Sequence, residues 1–204
     1  MRIFIASSNH GKLRDFAAAA APHGVAVQLL PGFNEIPQAV EDGATFEENA
    51  RKKAEHYSRS AAGTLVIADD SGLEVDALSG SPGVLSARYA ADAAETAISQ
   101  DEANNAKLLR ELEPVPDDQR GARFVCVISV ARDGVEITSF RGSVEGVILR
   151  APRGTGGFGY DPLFFFPALD KTLGELSPNE KAQVSHRGQA FNSFLAWCDA
   201  NPST

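Results

Sequence analysis

The chain has 204 residues, a formal net charge of -8 at pH 7, and hydrophobic and charged fractions of 43% and 23%. These values are typical of a globular protein and predict a single domain over residues 1–204. The negative charge argues against broad binding to nucleic acid or to an anionic membrane, because both favour basic surfaces. We find no apolar run of membrane-spanning length and no charged-then-apolar signal segment, so we expect a cytoplasmic protein.

Hydrophobic periodicity predicts both strands and helices along the chain. The predicted strands are residues 2–6, 25–30, 64–68, 122–131, 135–141 and 144–149. The predicted helices are residues 12–21, 45–62, 92–113 and 178–200. Asp133-Gly134 is typical of a hairpin turn between two of the strands. Because hairpins and helices are mixed, the pattern favours an α/β fold with a mixed sheet over a purely parallel one.

A short polar loop follows the first predicted strand and leads into the first helix. Its members have polar side chains or, for the one glycine, no side chain: Ser7, Ser8, Asn9, His10, Gly11 and Lys12. A strand–loop–helix arrangement presents free N–H groups and a helix dipole to an anion, although the spacing matches no Walker motif. The segment therefore predicts an anion-binding loop, with a simple capped helix as the alternative.

The helix predicted over residues 45–62 begins with a capping box, Thr45 and Glu48. It presents Arg51, Lys52 and Lys53 in succession. Three consecutive basic residues on a helix point in different directions, so at least one is expected to face a ligand or the protein rather than solvent alone.

Two adjacent acids, Asp69 and Asp70, follow the predicted strand 64–68 and precede Ser71. Neighbouring residues of a strand point to opposite faces, so the two carboxylates are expected to have different roles. One would hold a metal or activate water, while the other is held in hydrogen bonds or caps a turn. Hard oxygen ligands of this kind suit Mg²⁺. The alternative is a turn with solvated acids.

Residues 154–161 combine four glycines, two aromatic rings and a terminal acid. Glycine lets backbone amides approach an anion closely, and Phe158 and Tyr160 offer faces on which a nucleobase stacks. This glycine-rich loop predicts a ligand that is part phosphate and part planar ring. An ordinary turn between strands is the alternative.

Near the end of the chain, Ser177, Pro178 and Glu180 predict a helix start with a capping box. Lys181, His186 and Arg187 follow within two turns. They form a cationic patch in an acidic protein, which predicts a binding surface, with a solvated helix face as the alternative.

Cys126 and Cys198 form no metal or redox motif, and we expect two buried free thiols.

Taken in order, these segments resemble the Ham1/RdgB-like inosine triphosphate pyrophosphatases from about Arg2 to Trp197. The matching motifs are Ser-Ser-Asn-His-Gly-Lys, Asp-Asp-Ser-Gly-Leu, Gly-Phe-Gly-Tyr-Asp and Ser-His-Arg. The resemblance implies Mg²⁺-dependent hydrolysis of ITP, dITP and XTP to the monophosphate and pyrophosphate. It also implies a homodimer and an elongated, two-lobed α/β fold around a long twisted mixed sheet.

The resemblance also implies roles for single residues. Asp70 matches the catalytic acid and metal ligand, and Lys53 matches a helix lysine that reaches the phosphates. The role of Asp69 comes from its place beside Asp70 and not from the resemblance: we expect it to share the catalytic work or to position Asp70. Residues 7–12 match the phosphate-binding loop, and Ser71 is expected to touch substrate. The residues that match the base and sugar pocket are Phe158, Gly159, Tyr160, Asp161, Lys181, His186 and Arg187.

One position departs from the pattern of the family. Some members have a metal-binding Glu directly after a proline, where this chain has Pro37-Gln38. A glutamine offers only a neutral oxygen. We therefore expect Glu41, the nearest acid, to be the second metal ligand.

Two other functions are consistent with parts of this pattern. One is a Maf-like pyrophosphatase of the same fold that acts on dTTP, UTP or modified pyrimidines; the Ser-His-Arg motif favours the purine branch. The other is a nucleotide-binding regulatory module without turnover. Asp70 beside Ser71, with Lys12 and Lys53 in the same chain, favours an enzyme instead.

Overall fold

The structure is a computed structural model that describes residues 2–91 and 99–201. Its strands are β1 (Arg2–Ile5), β2 (Ala26–Leu29), β3 (Val66–Val75), β4 (Gly121–Arg132), β5 (Val135–Ile148), β6 (Phe164–Phe166) and β7 (Lys171–Thr172). Its α-helices are α1 (His10–Ala20), α2 (Phe46–Ser58), α3 (Gln100–Glu111), α4 (Pro178–Val184) and α5 (His186–Ala200). None of the described helices is long and apolar enough to cross a membrane.

The seven strands form one sheet in the order β2-β1-β3-β4-β5-β6-β7. β1 pairs in parallel with both β2 and β3, whereas β6 pairs antiparallel with β5 and β7. The predicted α/β fold with a mixed sheet is therefore confirmed.

The chain folds into two compact units. The first contains the described residues up to Ser71, those of 126–143 and those from Ala182 onward, and the second contains the described residues of 72–125 and 144–181. The assignment of residues 1–204 to a single domain stays a prediction.

In the first unit, the apolar residues of β3 alternate between two clusters. Ile67 belongs to a cluster with residues of α1 and α5, such as Phe16 and Phe191. Val66 and Ala68 belong to a second cluster with residues of α2. Helices therefore cover both faces of the sheet in this unit, and successive residues of β3 meet different helices.

β3 is longer than the sequence predicts. We expected this strand to end at residue 68, but it continues through Asp69 and Asp70 to Val75. A solvent-exposed turn is not needed to satisfy the two carboxylates, because lysines reach both of them within the fold. The acids therefore lie within a strand, not in a turn after it.

A second predicted boundary is wrong: the strands predicted at 135–141 and 144–149 form the single strand β5. Gly142 does not break it. A Cβ at this position would lie 2.6 Å from the backbone nitrogen of Ala190 and closer still to the backbone oxygen of His186. The glycine is therefore required for the close approach of β5 to α5.

The hairpin before β5 is confirmed, with φ of 53° at Asp133 and 82° at Gly134.

The helix predicted over residues 178–200 is two helices, α4 and α5. Ser185 interrupts it with extended backbone angles, and its hydroxyl accepts a hydrogen bond from the Gly188 N–H as the N-cap of α5. Gly188 comes so close to the backbone oxygen of Ala182 that a side chain would clash there. The break thus places His186 and Arg187 in the first turn of a new helix, where free N–H groups are found.

The other differences are smaller. The helix predicted over 92–113 falls partly on residues 92–98, which lie outside the described residues, and α3 accounts for the rest. The short strands β6 and β7 have no distinct sequence pattern and were missed. Both thiols are free, but only Cys126 is fully buried, whereas Cys198 is half-buried.

The close packing of β5 on α5 leads to a stability prediction. Gly142→Ala should lower the free energy of unfolding by about 1–3 kcal/mol, because the added methyl group overlaps with the backbone of α5. The neighbouring, exposed Ser143 gives a matched control, and Ser143→Ala should change stability by less than about 0.5 kcal/mol. Urea denaturation of the two variants measures both values, and equal stabilities would contradict the packing described here.

Candidate active site

The two acids of β3 lie on opposite faces of the strand, as their adjacency predicts. Asp69 Oδ2 lies 2.9 Å from Lys12 Nζ of α1, and Asp70 Oδ1 lies 2.9 Å from Lys53 Nζ of α2. All four side chains belong to the first unit. Together with Glu41 they form what we name the acid–lysine cluster.

The polar loop before α1 is built around its N-cap. Asn9 accepts a hydrogen bond from the Lys12 N–H at 3.1 Å, and Ser7 accepts one from the Asn9 N–H at 3.3 Å. Ser8 and His10 are exposed, whereas Gly11 is buried. The alternative of a capped helix is thus observed, and it is compatible with anion binding, because a capped N-terminus still has free N–H groups and a favourable dipole.

Asp69 is held as an anion. The Ser71 hydroxyl donates to its Oδ2 at 3.1 Å and itself accepts from Arg187 Nη2 at 2.9 Å. Burial favours the protonated form, but the charges of Lys12, Arg187 and Lys53 outweigh it and hold the pKa of Asp69 below its ordinary value. Asp69 Oδ1 is buried and receives no hydrogen bond from the part of the chain that is described, so it can accept one from a ligand or water.

Asp70 has a different environment. Lys53 contacts its Oδ1, and Asn49 Nδ2 donates to its Oδ2 at 3.3 Å. Burial raises the pKa of Asp70 and is only partly opposed by Lys53 and Lys12, so the net shift is upward. A carboxylate whose pKa is raised towards neutrality is a better proton acceptor than one whose pKa is lowered.

Lys53 joins two acids. Its Nζ lies 2.9 Å from Glu41 Oε2 as well as from Asp70, and the residue is only 8% exposed. Burial favours the neutral amine, but Asp70, Asp69 and Glu41 reverse that effect and raise the pKa of Lys53. The lysine is therefore charged at neutral pH. Its neighbour Lys52 is paired with Asp42 nearer the surface.

The glycine-rich loop lies in the second unit and is organised by its terminal acid. Asp161 Oδ2 accepts hydrogen bonds from the Phe158 N–H at 2.9 Å and from Lys181 Nζ at 2.6 Å. The Lys181 ammonium lies 4.9 Å from the centroid of the Phe158 ring. Gly157 has a φ of 75°, and a side chain there would overlap with Asp161. Asp161 therefore links the backbone of the loop to Lys181.

Tyr160 does not have the exposed ring that the predicted stacking on a nucleobase requires. Its ring is 3% exposed, and its hydroxyl donates to the backbone oxygen of Ser86 at 2.9 Å. A buried ring offers no free face to a base. In this structure Tyr160 anchors the loop, and the predicted stacking role is left to Phe158, which is only half-buried.

The cationic patch predicted near the C-terminal end is divided between the units. Lys181 belongs to the second unit, where it contacts Asp161 and Phe158. His186 and Arg187 belong to the first unit at the start of α5, and Arg187 Nη1 lies 3.0 Å from Asp15 Oδ2. Arg187 is therefore tied to α1 and, through Ser71, to Asp69.

Among the residues that sequence reasoning missed are side chains that contact predicted site residues: Asp15, Asn49, Asp101 and Asn105. A helical spacing of three or four residues could have found the first two, since Asp15 follows Lys12 by three positions and Asn49 precedes Lys53 by four. Asp101 and Asn105 contact the backbone of Gly159. No local signal in the sequence connects them to that loop.

Comparison with known proteins identifies the family. The Ham1 family model matches residues 3–197. The chain belongs to the Ham1 family. It is 53% identical to the dITP/XTP pyrophosphatase of Acidobacterium capsulatum over 96% of this chain and 97% of that relative. It is 52% identical to the dITP/XTP pyrophosphatase of Geobacillus kaustophilus, over 94% of this chain and 91% of the relative.

Solved structures of the family support the fold. The Ham1 protein of Staphylococcus aureus is 43% identical and superposes with a TM-score of 0.81, covering 98% of this chain and 99% of that one. A HAM1 protein from Coxiella burnetii is 37% identical and has a TM-score of 0.82, with the same coverage of both chains. The expectation of a Ham1-like α/β fold is thus confirmed.

The contact between Asn49 and Asp70 leads to a second stability prediction. Asn49→Asp keeps an acceptor for the Gly43 N–H but replaces the amide donor beside Asp70 with a second negative charge. We expect a loss of roughly 1–3 kcal/mol in the free energy of unfolding. Asn34→Asp makes the same chemical change at an exposed position and should cost less than about 0.5 kcal/mol. Chemical denaturation compares the two, and similar losses would show that Asn49 does not stabilise Asp70.

Proposed function

We propose that this protein hydrolyses the non-standard purine nucleoside triphosphates dITP, ITP and XTP to the monophosphate and pyrophosphate. The observation that carries the proposal is the acid–lysine cluster, in which Lys12 contacts Asp69 on one face of β3 and Lys53 contacts Asp70 on the other. The names of its relatives, dITP/XTP pyrophosphatases at about half identity over nearly the full chain, support the substrate.

The phosphates would be bound by residues of the first unit. Lys12 and Lys53 supply two positive charges, and the exposed residues Ser8 and His10 lie at the N-terminus of α1. Positive charges and helix N–H groups that are fixed before the reaction stabilise negative charge that develops on phosphate oxygens. Both lysines are paired with carboxylates in this structure, so a polyphosphate would compete with those carboxylates for the two ammonium groups.

A magnesium ion fits the oxygen ligands of the cluster. Asp70 and Glu41 already share one cation, the Lys53 ammonium, and their carboxylates are the hard ligands that Mg²⁺ prefers. No group of three or more His, Cys, Asp or Glu suited to a metal is found within residues 2–91 and 99–201. We therefore propose Asp70 and Glu41 as the protein ligands, with phosphate oxygens completing the set. Bound there, the ion would neutralise phosphate charge and polarise the reacting phosphorus.

Asp70 is our choice for the general base. A water oxygen forms a bond to the α-phosphorus, the bond from that phosphorus to the bridging oxygen breaks, and pyrophosphate leaves with the electron pair. The water proton passes to Asp70. Asp69 is less suited to accept it, because Lys12 and Ser71 stabilise its ionised form.

Base selection is assigned to the residues that the family motifs mark. In the second unit, we propose that the half-buried Phe158 ring stacks on the purine base and that backbone amides near Phe158 donate hydrogen bonds to its 6-oxo group. His186 and Arg187 of the first unit stay the predicted alternative donors. Adenine has an amino group at that position, so donors that face it are left unpaired. Such mismatches reduce kcat/KM by about 10³-fold or more.

Three further expectations belong to this proposal. The protein acts in the cytoplasm, it assembles as a homodimer, and it binds no nucleic acid. The homodimer is what the resemblance to the family implies. The formal net charge of -8 supports the last, since nucleic-acid surfaces are usually basic.

The direct test is release of pyrophosphate from ITP, dITP, XTP, GTP, ATP and dTTP by the purified protein with Mg²⁺. We expect strong release from the first three and little from the others. Omission of Mg²⁺ should abolish turnover. Activity on dTTP alone would instead indicate a pyrimidine-directed enzyme, and tight binding of ITP without release of pyrophosphate would indicate a regulatory module.

A further inference from the structure

Both polar groups of one backbone residue in the glycine-rich loop are bound by side chains of α3. The Gly159 N–H donates to Asp101 Oδ2 at 2.7 Å, and the Gly159 carbonyl accepts from Asn105 Nδ2 at 3.0 Å. Asp101 and Asn105 are one helical turn apart, so they lie on the same face of the helix. All three residues belong to the second unit.

Gly159 is the position at which this support has most effect. It lies between Phe158 and Tyr160 and has a φ of 60°, in the region that favours glycine. A Cβ there would meet no atom within 4 Å, so the glycine is required for its backbone angle and not for space. A flexible residue between two aromatic rings orders them only if its own peptide groups are held.

The neighbouring asparagine fixes α3 to the same region. Asn104 Oδ1 accepts from the Ala90 N–H at 2.8 Å, and its Nδ2 donates to the Ser86 carbonyl at 3.2 Å. That carbonyl also accepts the hydroxyl of Tyr160. The helix that holds Gly159 is therefore itself anchored beside the buried end of the loop.

Within residues 2–91 and 99–201, the side-chain amide of Asn105 has only one of its two polar atoms in a hydrogen bond, the one that contacts Gly159. Its Nδ2 must face the Gly159 carbonyl, because a carbonyl only accepts hydrogen bonds. Its Oδ1 is then buried, and it has no hydrogen-bond partner within the described part of the chain. A buried acceptor without a partner destabilises the fold. The hydrogen bond from Nδ2 to the Gly159 carbonyl is the interaction that offsets this destabilisation.

We propose that Asp101 and Asn105 are positioning residues that hold the glycine-rich loop, and with it the Phe158 ring, in the shape that binds the purine base. This inference rests on the proposed function. The two side chains act through Gly159 and need not touch the substrate. Their loss should weaken binding of the nucleotide and leave the chemistry at the phosphates largely unchanged.

The test compares steady-state kinetics of ITP hydrolysis in four variants. Asp101→Ala and Asn105→Ala should each raise KM by about tenfold and change kcat by less than about threefold. Asp101→Asn keeps an oxygen acceptor for the Gly159 N–H, so its KM should return to within about threefold of the wild-type value. Glu102→Ala removes the same charge from an exposed position in the same turn of α3 and should leave KM unchanged.

The outcomes separate this inference from the proposed function. Wild-type protein that releases no pyrophosphate from ITP would overturn both. Wild-type turnover with an unchanged KM in Asp101→Ala and Asn105→Ala would overturn the positioning role alone. An equal rise in KM for Glu102→Ala, or no recovery in Asp101→Asn, would also overturn it, because either result would point to charge and not to the hydrogen bond.

Discussion

Two consecutive buried carboxylates on one strand have to be compensated separately, because consecutive residues of a strand point to opposite faces of the sheet. Asp69 and Asp70 meet this constraint with one lysine each, Lys12 from α1 and Lys53 from α2. The helices on the two faces of β3 therefore provide more than apolar packing. Each of them positions a cation beside an acid, and this arrangement holds the acids within the strand.

The same constraint gives the two acids different chemistry. Asp69 is surrounded by donors and cations, and its pKa is lowered in spite of its burial. Asp70 shares its lysine with Glu41, and burial dominates, so its pKa is raised. One strand thus carries both an anion paired with Lys12 and a carboxylate with a raised pKa, which is the basis for proposing Asp70 as the general base. An anionic substrate would compete with these carboxylates for the lysines, which couples its binding to the charge balance of the cluster.

The mixture of hairpins and helices was sufficient to predict the mixed sheet, and strand alternation was sufficient to predict the divergence of Asp69 and Asp70. The capped start of α1 was foreseen as the alternative to an anion-binding loop. Other features depend on contacts between distant segments. The continuation of β3 through its acids requires lysines from two helices, and the break at Ser185 requires the close contact of Gly188 with Ala182. Gly159 is bound by two residues of α3, Asn105 and Asp101, which precede it by 54 and 58 positions. No local sequence pattern predicts a contact over such distances along the chain.

The division of labour between the two acids is the central claim, and single-turnover hydrolysis of saturating ITP by Asp69→Asn and Asp70→Asn tests it most directly. Asp70→Asn should bind ITP but slow the chemical step by about 10²- to 10⁴-fold, the usual contribution of a general base. Asp69→Asn should weaken ITP binding through Lys12 and keep the chemical step within about tenfold of wild type. Equal losses in the chemical step, or a larger loss in Asp69→Asn, would contradict the roles assigned to β3.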